Sequence, residues 1–140
     1  MKSRKGFTLI ELMIVVVIVA VLAAVVVPLL ISRIERAKYA EGKAIASQIA
    51  TAVRAYVAEN GTSSSPTPNL ITDLGFRAQE LDGKYWVQTG NMAVSGVLLN
   101  ANGTLDYTII LNPRTTAGLS QNVQLTCDDN VTTFPLPVGL

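Results

Sequence analysis

The sequence predicts an α+β fold, in which one long N-terminal helix precedes a small antiparallel β-sheet. Twenty residues without a charge, Leu12 to Ile31, lead into a segment with helical spacing of apolar residues up to about residue 59. The stretch GTSSSPTP at 61–68 is a breaker, and β-branched, alternating runs follow it as far as Leu140. At 140 residues, the chain has the size of one domain.

The uncharged run is long enough to cross a bilayer, because a helix rising about 1.5 Å per residue spans about 30 Å in twenty residues. Lys2, Arg4 and Lys5 precede it, so the positive-inside rule places the N-terminus in the cytoplasm. We therefore predict four segments: a basic leader at 1–6, a transmembrane helix at 7–31, an amphipathic continuation at 32–60 and a β-sheet head domain at 61–140.

The amphipathic continuation is predicted to pack on the sheet through one stripe of residues, which are Ile45, Ile49, Ala52, Val53 and Tyr56. Three cations are predicted on the opposite side of the helix, facing away from the sheet: Arg36, Lys43 and Arg54. Pro28 lies within the apolar half, where it removes a backbone donor and is expected to kink or locally melt the helix.

Five runs after the breaker are typical of strands: YWVQT (85–89), MAVSGVLLN (92–100), LDYTIIL (105–111), NVQLT (122–126) and VTTF (131–134). The residues from Asn100 to Gly103 resemble a hairpin connection between two of them. We expect an antiparallel sheet of three to five strands.

Two simple interpretations of the apolar stretch leave something unexplained. A secretory signal peptide has an apolar core of about 7–15 residues before its cleavage site, and this run is longer and continues into a charged helix. A signal anchor that only tethers a domain fits the length but gives no role to Glu11, although a carboxylate at mid-span costs about 2.5–3.5 kcal/mol and less near the end.

Glu11 could find a cationic partner if the chain were cut after Gly6, because the cut would leave a free amine on Phe7 at the start of the same helix. The amine and the carboxylate could pair within one chain or between neighbouring chains. In an apolar medium either pairing is favoured over leaving one charge alone. The free-energy cost of an unpaired Glu11 carboxylate would thus favour assembly of the chains in one register.

The stretch KGFTLIELMIVVVIVAVLAAVVVP, residues 5–28, closely resembles the class III leader and N-terminal helix of type IV pilins and related pseudopilins. The C-terminal half of the chain has no recognisable match. The resemblance implies a type IV pilin-like fold, with the apolar half of the helix protruding and the amphipathic half packed on the sheet.

The resemblance also implies roles for four residues. Gly6 would precede the bond cut by a prepilin peptidase, and Phe7 would become the N-methylated terminus. Glu11 would contact the Phe7 amine of an adjacent subunit, and Pro28 would lie where such helices bend in the filament. Loss of the leader leaves eight basic and ten acidic side chains, a net charge of −2.

By this resemblance the chain would be a structural subunit, the major pilin, of a type IV pilus-like filament serving motility, adhesion, DNA uptake or secretion. Its partners would be many further copies, the prepilin peptidase, the inner-membrane assembly machinery and, before assembly, membrane lipid. It would be a single-pass inner-membrane protein that later becomes extracellular. The alternatives are a type II secretion pseudopilin and, from another class, a monomeric membrane-tethered binding module.

The remaining chemistry-bearing residues predict neither an enzyme nor a cofactor. The chain has no His, its net charge of +1 gives no nucleic-acid footprint, and the single Cys127 has no disulfide partner. Asp106, Asp128 and Asp129 are interpreted as acidic turn residues rather than as a metal site. Three N-x-T triplets are candidate glycosylation sites, and they begin at Asn60, Asn102 and Asn130.

Overall fold

A computed structural model describes residues 6–61 and 67–134. Helix α1 covers Leu9–Asn60, and four strands follow: β1 (Met92–Leu99), β2 (Leu105–Leu111), β3 (Val123–Asp128) and β4 (Val131–Thr133). A 3₁₀ turn, Thr115–Ala117, lies between β2 and β3. The strands form one antiparallel sheet in the order β1-β2-β3-β4, which confirms the predicted α+β class.

The chain divides into two compact units, an N-terminal unit at Met1–Glu35 and a second unit at Arg36–Leu140, which includes the second half of α1 and is called the head from here on. The predicted leader lies almost wholly outside the described residues, as does most of the breaker at 61–68. In the N-terminal unit, every residue from Gly6 to Ile31 is exposed. By length and composition α1 contains a segment that can cross a membrane, and none of that segment is buried.

The core of the head lies between α1 and the inner face of the sheet. The helix contributes Ile45, Ile49 and Val53 from the predicted stripe, while Ala52 and Tyr56 are only partly covered. Buried residues in β1 to β3 alternate with exposed or half-buried ones, so each strand presents one face to the helix. Burial of these apolar side chains is the main stabilising term for the head, at about 25 cal/mol per Å² of apolar surface.

The prediction that the basic side of the helix faces away from the sheet is wrong for two of its three cations. The Lys43 ammonium lies 5.6 Å from the Phe134 ring centroid, and Arg54 donates a hydrogen bond of 2.8 Å to Thr132 Oγ1. Both side chains have long aliphatic stems that carry the charge around the edge of the helix. They therefore lie beside β4 and the residue that follows it, whereas Arg36 is exposed as predicted.

The run YWVQT is not a strand. Trp86 makes a single isolated bridge to Pro113, and the Trp86 indole N–H donates to the Lys38 carbonyl of α1 at 2.9 Å. Burial of Trp86 and Gln88 on one side of the loop produces the alternation that resembled a strand. The other four runs form the sheet, within the predicted three to five strands.

The predicted hairpin between β1 and β2 is confirmed. The Asn100 amide donates to the Thr104 carbonyl at 2.8 Å, and the Gly103 amide donates to the Asn100 carbonyl at 2.9 Å. Gly103 has a φ of 83°, a left-handed conformation that favours glycine.

Candidate functional site

The Gly6–Phe7 peptide bond lies in irregular backbone just before α1. Both residues are exposed, and 83% of the Phe7 surface is accessible. An added Cβ on Gly6 would meet no atom within 4 Å. A protease could therefore approach this bond without unwinding the helix, because helical hydrogen bonding begins only after it.

Thr8 and Glu11 form a capping box at the start of α1. The Glu11 carboxylate accepts hydrogen bonds from the Thr8 backbone N–H at 3.1 Å and from the Thr8 hydroxyl at 2.8 Å. The Glu11 amide donates back to Thr8 Oγ1 at 3.4 Å. This T-x-x-E arrangement satisfies amides that the first turn of a helix otherwise leaves unpaired.

The capping box gives Glu11 a role that the sequence interpretation missed. The signal was present as Thr8 three residues before Glu11 at a helix start. The box fixes the carboxylate at the N-terminal end of α1, on the side of Phe7. It leaves the carboxylate exposed, so the group remains able to accept a further donor such as an ammonium.

The surface around this site is apolar. More than half of the surface is exposed for each large hydrophobic side chain between Leu9 and Ile31. A contiguous exposed surface of this kind is typical of a segment that is covered by lipid or by other protein. Glu11 is the single charge in this part of the helix.

Pro28 lies inside α1, and the helix continues across it without interruption. The expected local melting is thus not present in the single chain. Because proline has no N–H, the Ala24 carbonyl lacks its usual donor at this position. A bend at Pro28 in an assembled filament stays a prediction.

The three N-x-T asparagines use their side chains in local structure. Asn60 Nδ2 donates to the Tyr56 carbonyl at 2.9 Å, and Asn102 Oδ1 accepts from the Thr104 hydroxyl at 2.7 Å. Asn130 Oδ1 accepts from the Leu105 amide at 3.0 Å. All three residues are exposed, and their glycosylation stays a prediction.

The acidic turn residues come together at one end of the sheet, where carboxylate oxygens of Asp106, Asp128 and Asp129 lie within 4.8 Å of one another. Asp106 accepts from Asn100 Nδ2 at 2.9 Å and from the Asp129 amide at 2.8 Å. Asp129 accepts from the Thr104 hydroxyl at 2.9 Å. These bonds join the β1–β2 hairpin to the β3–β4 turn, which is a structural role for the cluster.

Cys127 is buried in β3, and its thiol lies 3.3 Å from the Leu105 carbonyl oxygen. Its position in the core fits a packing role for this thiol.

Comparison with known families gives a match at the N-terminus. Residues 1–27 match the model of the prokaryotic N-terminal methylation motif, the class III prepilin leader of type IV pilins. The match covers Gly6, Phe7, Thr8 and Glu11, and it confirms the resemblance seen in the sequence. No solved structure matches the chain.

Proposed function

We propose that this chain is the major structural subunit of a type IV pilus-like extracellular filament. Its N-terminal methylation motif supports membership of the type IV pilin or pseudopilin family. The motif points to a structural protein rather than an enzyme. The observation that carries the proposal is the exposed apolar helix with one carboxylate, Glu11, bonded to Thr8, whose first part lies within the matched methylation motif at residues 1–27.

The prepilin motif and the apolar helix support a precursor that is anchored in the membrane and is later assembled into a pilus. In the proposed sequence of events, the leader cations hold the N-terminus in the cytoplasm while α1 spans the inner membrane. A prepilin peptidase cuts the exposed Gly6–Phe7 bond and methylates the new Phe7 amine. The amine remains a cation after one methylation, and it is the charge that Glu11 of a neighbouring subunit meets.

The proposed contact is heterologous and does not close, so repeated addition produces a filament rather than a ring. In the filament, packed helices replace the lipid around the apolar residues. The free energy of these residues differs little between the two surroundings, because both are apolar. The hydrophobic term, about 25 cal/mol per Å², applies only where the alternative is water. Extraction from the membrane therefore needs an external motor, while the charge pair selects the register.

The intact mass of the protein in sheared surface fibres tests processing and polymerisation together. We expect a mass that lacks residues 1–6 and includes one added methyl group. Fibres built from the uncut chain would contradict the proposal.

The role of the Glu11 charge is separable from its role in the capping box. Glu11→Gln keeps a side-chain oxygen that can accept from Thr8 but removes the charge, so we expect folded precursor in the membrane and a loss of fibres of at least about tenfold, equivalent to about 1.4 kcal/mol. Thr8→Val removes the hydroxyl of the box and keeps the charge, and is the matched control. We expect it to weaken the helix start by about 1 kcal/mol and to leave fibres present. Normal fibre yield from Glu11→Gln would refute the charge pairing.

Two alternatives make different predictions. A type II secretion pseudopilin of this family would show calcium-dependent folding of the head, which thermal unfolding with added calcium or chelator measures. A monomeric membrane-tethered module would function normally with Glu11→Ala. The filament proposal requires long surface fibres that disappear when the chain is deleted.

A further inference from the structure

A cavity of about 350 Å³ lies in the head, beside the free edge of β1. Its lining residues come from three stretches of the chain, which are 67–71, 88–90 and 92–94. The volume lies within the range of ligand sites in proteins, about 300–1,000 Å³. All three stretches belong to the head, so the cavity can be considered apart from the N-terminal unit and its assembly.

The free edge of β1 presents backbone hydrogen-bonding groups to this cavity. The Asn112 amide donates to the Asn91 carbonyl at 2.6 Å, and such bonded pairs recur at every second residue of an antiparallel ladder. Ala93 therefore bonds to β2. The N–H and C=O groups of Met92 and Val94 point the other way, towards the cavity that these residues line.

Gln88 adds a buried donor that lacks an acceptor. Its side chain lines the cavity and is 4% exposed. The Oε1 atom accepts from the Leu81 amide at 3.3 Å, but Nε2 has no hydrogen-bond partner among the described residues. A buried amide without a partner is costly, and a ligand carbonyl that enters the cavity would supply the missing acceptor.

The lining residues exclude several classes of ligand. Among the described residues that line the cavity, none is charged and none is aromatic. A phosphate or a carboxylate would therefore lack a cation, a divalent metal ion would lack carboxylates, and an aromatic ring would lack a ring to pack on. The cavity suits a neutral ligand that both donates and accepts hydrogen bonds along the β1 edge.

We propose that the cavity binds a short extended segment of another polypeptide, which adds to the edge of β1 as a strand. Addition of one peptide to a sheet edge is an established mode of recognition. A segment of about three residues can form up to about four backbone hydrogen bonds with Met92 and Val94. Because a single peptide has no sheet on its second edge, residues 67–71 can cover that edge without obstructing the pairing.

The pattern of β1 also defines the side chains of the peptide. The side chains of Met92 and Val94 are buried, whereas Ala93 is exposed. Residues opposite one another in a sheet lie on the same face, so the two outer residues of the peptide are apolar and the middle one is unrestricted. The regular edge is short, because the register shifts after Ser95 and Gly96 has a φ of 66°.

Hydrogen exchange of individual amides tests this pairing on the full chain in detergent micelles. The probe is the capped peptide acetyl-Val-Thr-Val-amide at millimolar concentration. We expect it to slow exchange at Met92 and Val94 by at least about threefold, and to leave Ala93 and Ser95, which β2 already protects, unchanged. The same peptide methylated on the nitrogen of each residue loses those donors. It is the matched control, and we expect no slowing from it.

A matched pair of variants tests the edge itself. Met92→Pro removes one outward N–H and keeps the ladder to β2, because Met92 is the first residue of β1 and does not donate to β2. Met92→Leu keeps the N–H and a similar volume. We expect the peptide to slow exchange at Val94 in Met92→Leu as in the wild type, and to lose most of this effect in Met92→Pro.

Gln88→Met is a second variant if Met92→Pro does not fold, which loss of protection at Ala93 and Ser95 would reveal. It removes the amide donor, so we expect the peptide to slow exchange at Met92 and Val94 less than in the wild type. An unreduced effect would contradict the role of Gln88 as a donor to the peptide.

Three results overturn the inference. The first is unchanged exchange at Met92 and Val94 in the presence of the peptide, and the second is equal slowing by its methylated form. The third is slow exchange at both amides before any peptide is added, since another segment of this chain would then fill the cavity. Slowing that survives Met92→Pro in a folded head overturns the pairing with β1. None of these results depends on fibre formation, so the proposed function is tested separately.

Discussion

At the scale of the residue, Tyr107 combines full burial with an unsatisfied hydroxyl. The side chain is 2% exposed, and its Oη has no hydrogen-bond partner among the described residues. Burial raises the pKa of Tyr107 to about 12, and the nearby Arg54 guanidinium opposes this shift. The hydroxyl therefore contributes little to stability, because its desolvation is not offset by a hydrogen bond.

We expect Tyr107→Phe to raise the free energy of unfolding by about 1 kcal/mol at neutral pH, since it removes the unsatisfied group and keeps the ring. The folded pKa lies above the ordinary value of about 10, so the folded head holds this proton more tightly than the unfolded chain. The wild type should thus lose stability as the pH rises from about 10 towards 12, and the variant should lose less. Urea unfolding at pH 8, 10 and 11 measures both effects, and a variant less stable than the wild type at pH 8 would contradict them.

Residue roles at the N-terminus were readable from the sequence to different extents. Gly6, Phe7 and Glu11 stand in a linear motif, so their positions needed no tertiary information. Thr8 was equally readable, because the T-x-x-E spacing at a helix start is typical of a capping box. The buried Nε2 of Gln88 and Oη of Tyr107, which have no hydrogen-bond partner in the described part of the chain, were not readable, because such an atom is recognised only from its neighbours in space.

At the scale of the element, the contact between α1 and the loop before β1 depends on one glycine. A Cβ on Gly42 would lie 2.6 Å from Cε2 of the Trp86 ring. Trp86 is fully buried, and its indole donates to the Lys38 carbonyl one turn earlier in the helix. The close approach of the ring to the helix backbone is what makes residue 42 a glycine.

Gly42→Ala tests this contact. Alanine is the better helix former by about 0.5–1 kcal/mol, but overpacking against a buried ring costs about 1–3 kcal/mol. We therefore expect a net loss of stability in thermal or urea unfolding of the head. In a Trp86→Phe background the clash is relieved, and Gly42→Ala should become neutral or stabilising. A coupling energy near zero in this double-mutant cycle would show that the contact is not tight.

The elements themselves followed from periodicity where the pattern was long. The helix, β1 and β2 were predictable because their spacing extends over seven residues or more, whereas the shorter β3 and β4 were predictable from β-branched residues between turn residues such as Asn and Asp. The prediction of a strand at YWVQT (85–89) was wrong. Trp86 and Gln88 are two buried residues separated by one, and they produce the same alternation in a loop that packs on a helix. The prediction that Lys43 and Arg54 face away from the sheet was wrong. A helical wheel gives the direction of the Cα–Cβ bond, whereas these long side chains bend around the helix towards β4 and Phe134.

At the scale of the whole molecule, folding and assembly occupy different parts of the chain. All residues of the hydrophobic core cluster, from Tyr39 to Cys127, belong to the head, and the large exposed apolar residues before Ile34 belong to the N-terminal unit. The composition of the sequence already indicated this division. What it did not indicate was the order and register of the strands, because these depend on which strands pair in space.

This division predicts that a chain of residues 36–140 folds without the N-terminal unit. It retains the whole core cluster and the four-stranded sheet, so we expect cooperative thermal unfolding with near-ultraviolet circular dichroism from the buried Trp86. We expect it to be monomeric at micromolar concentration by sedimentation, because it lacks the exposed apolar residues of the N-terminal unit. The full processed chain, diluted from detergent, should instead associate through its exposed apolar helix. A shortened chain that polymerises as the full chain does would place the assembly surface in the head, against the proposed role of Phe7 and Glu11.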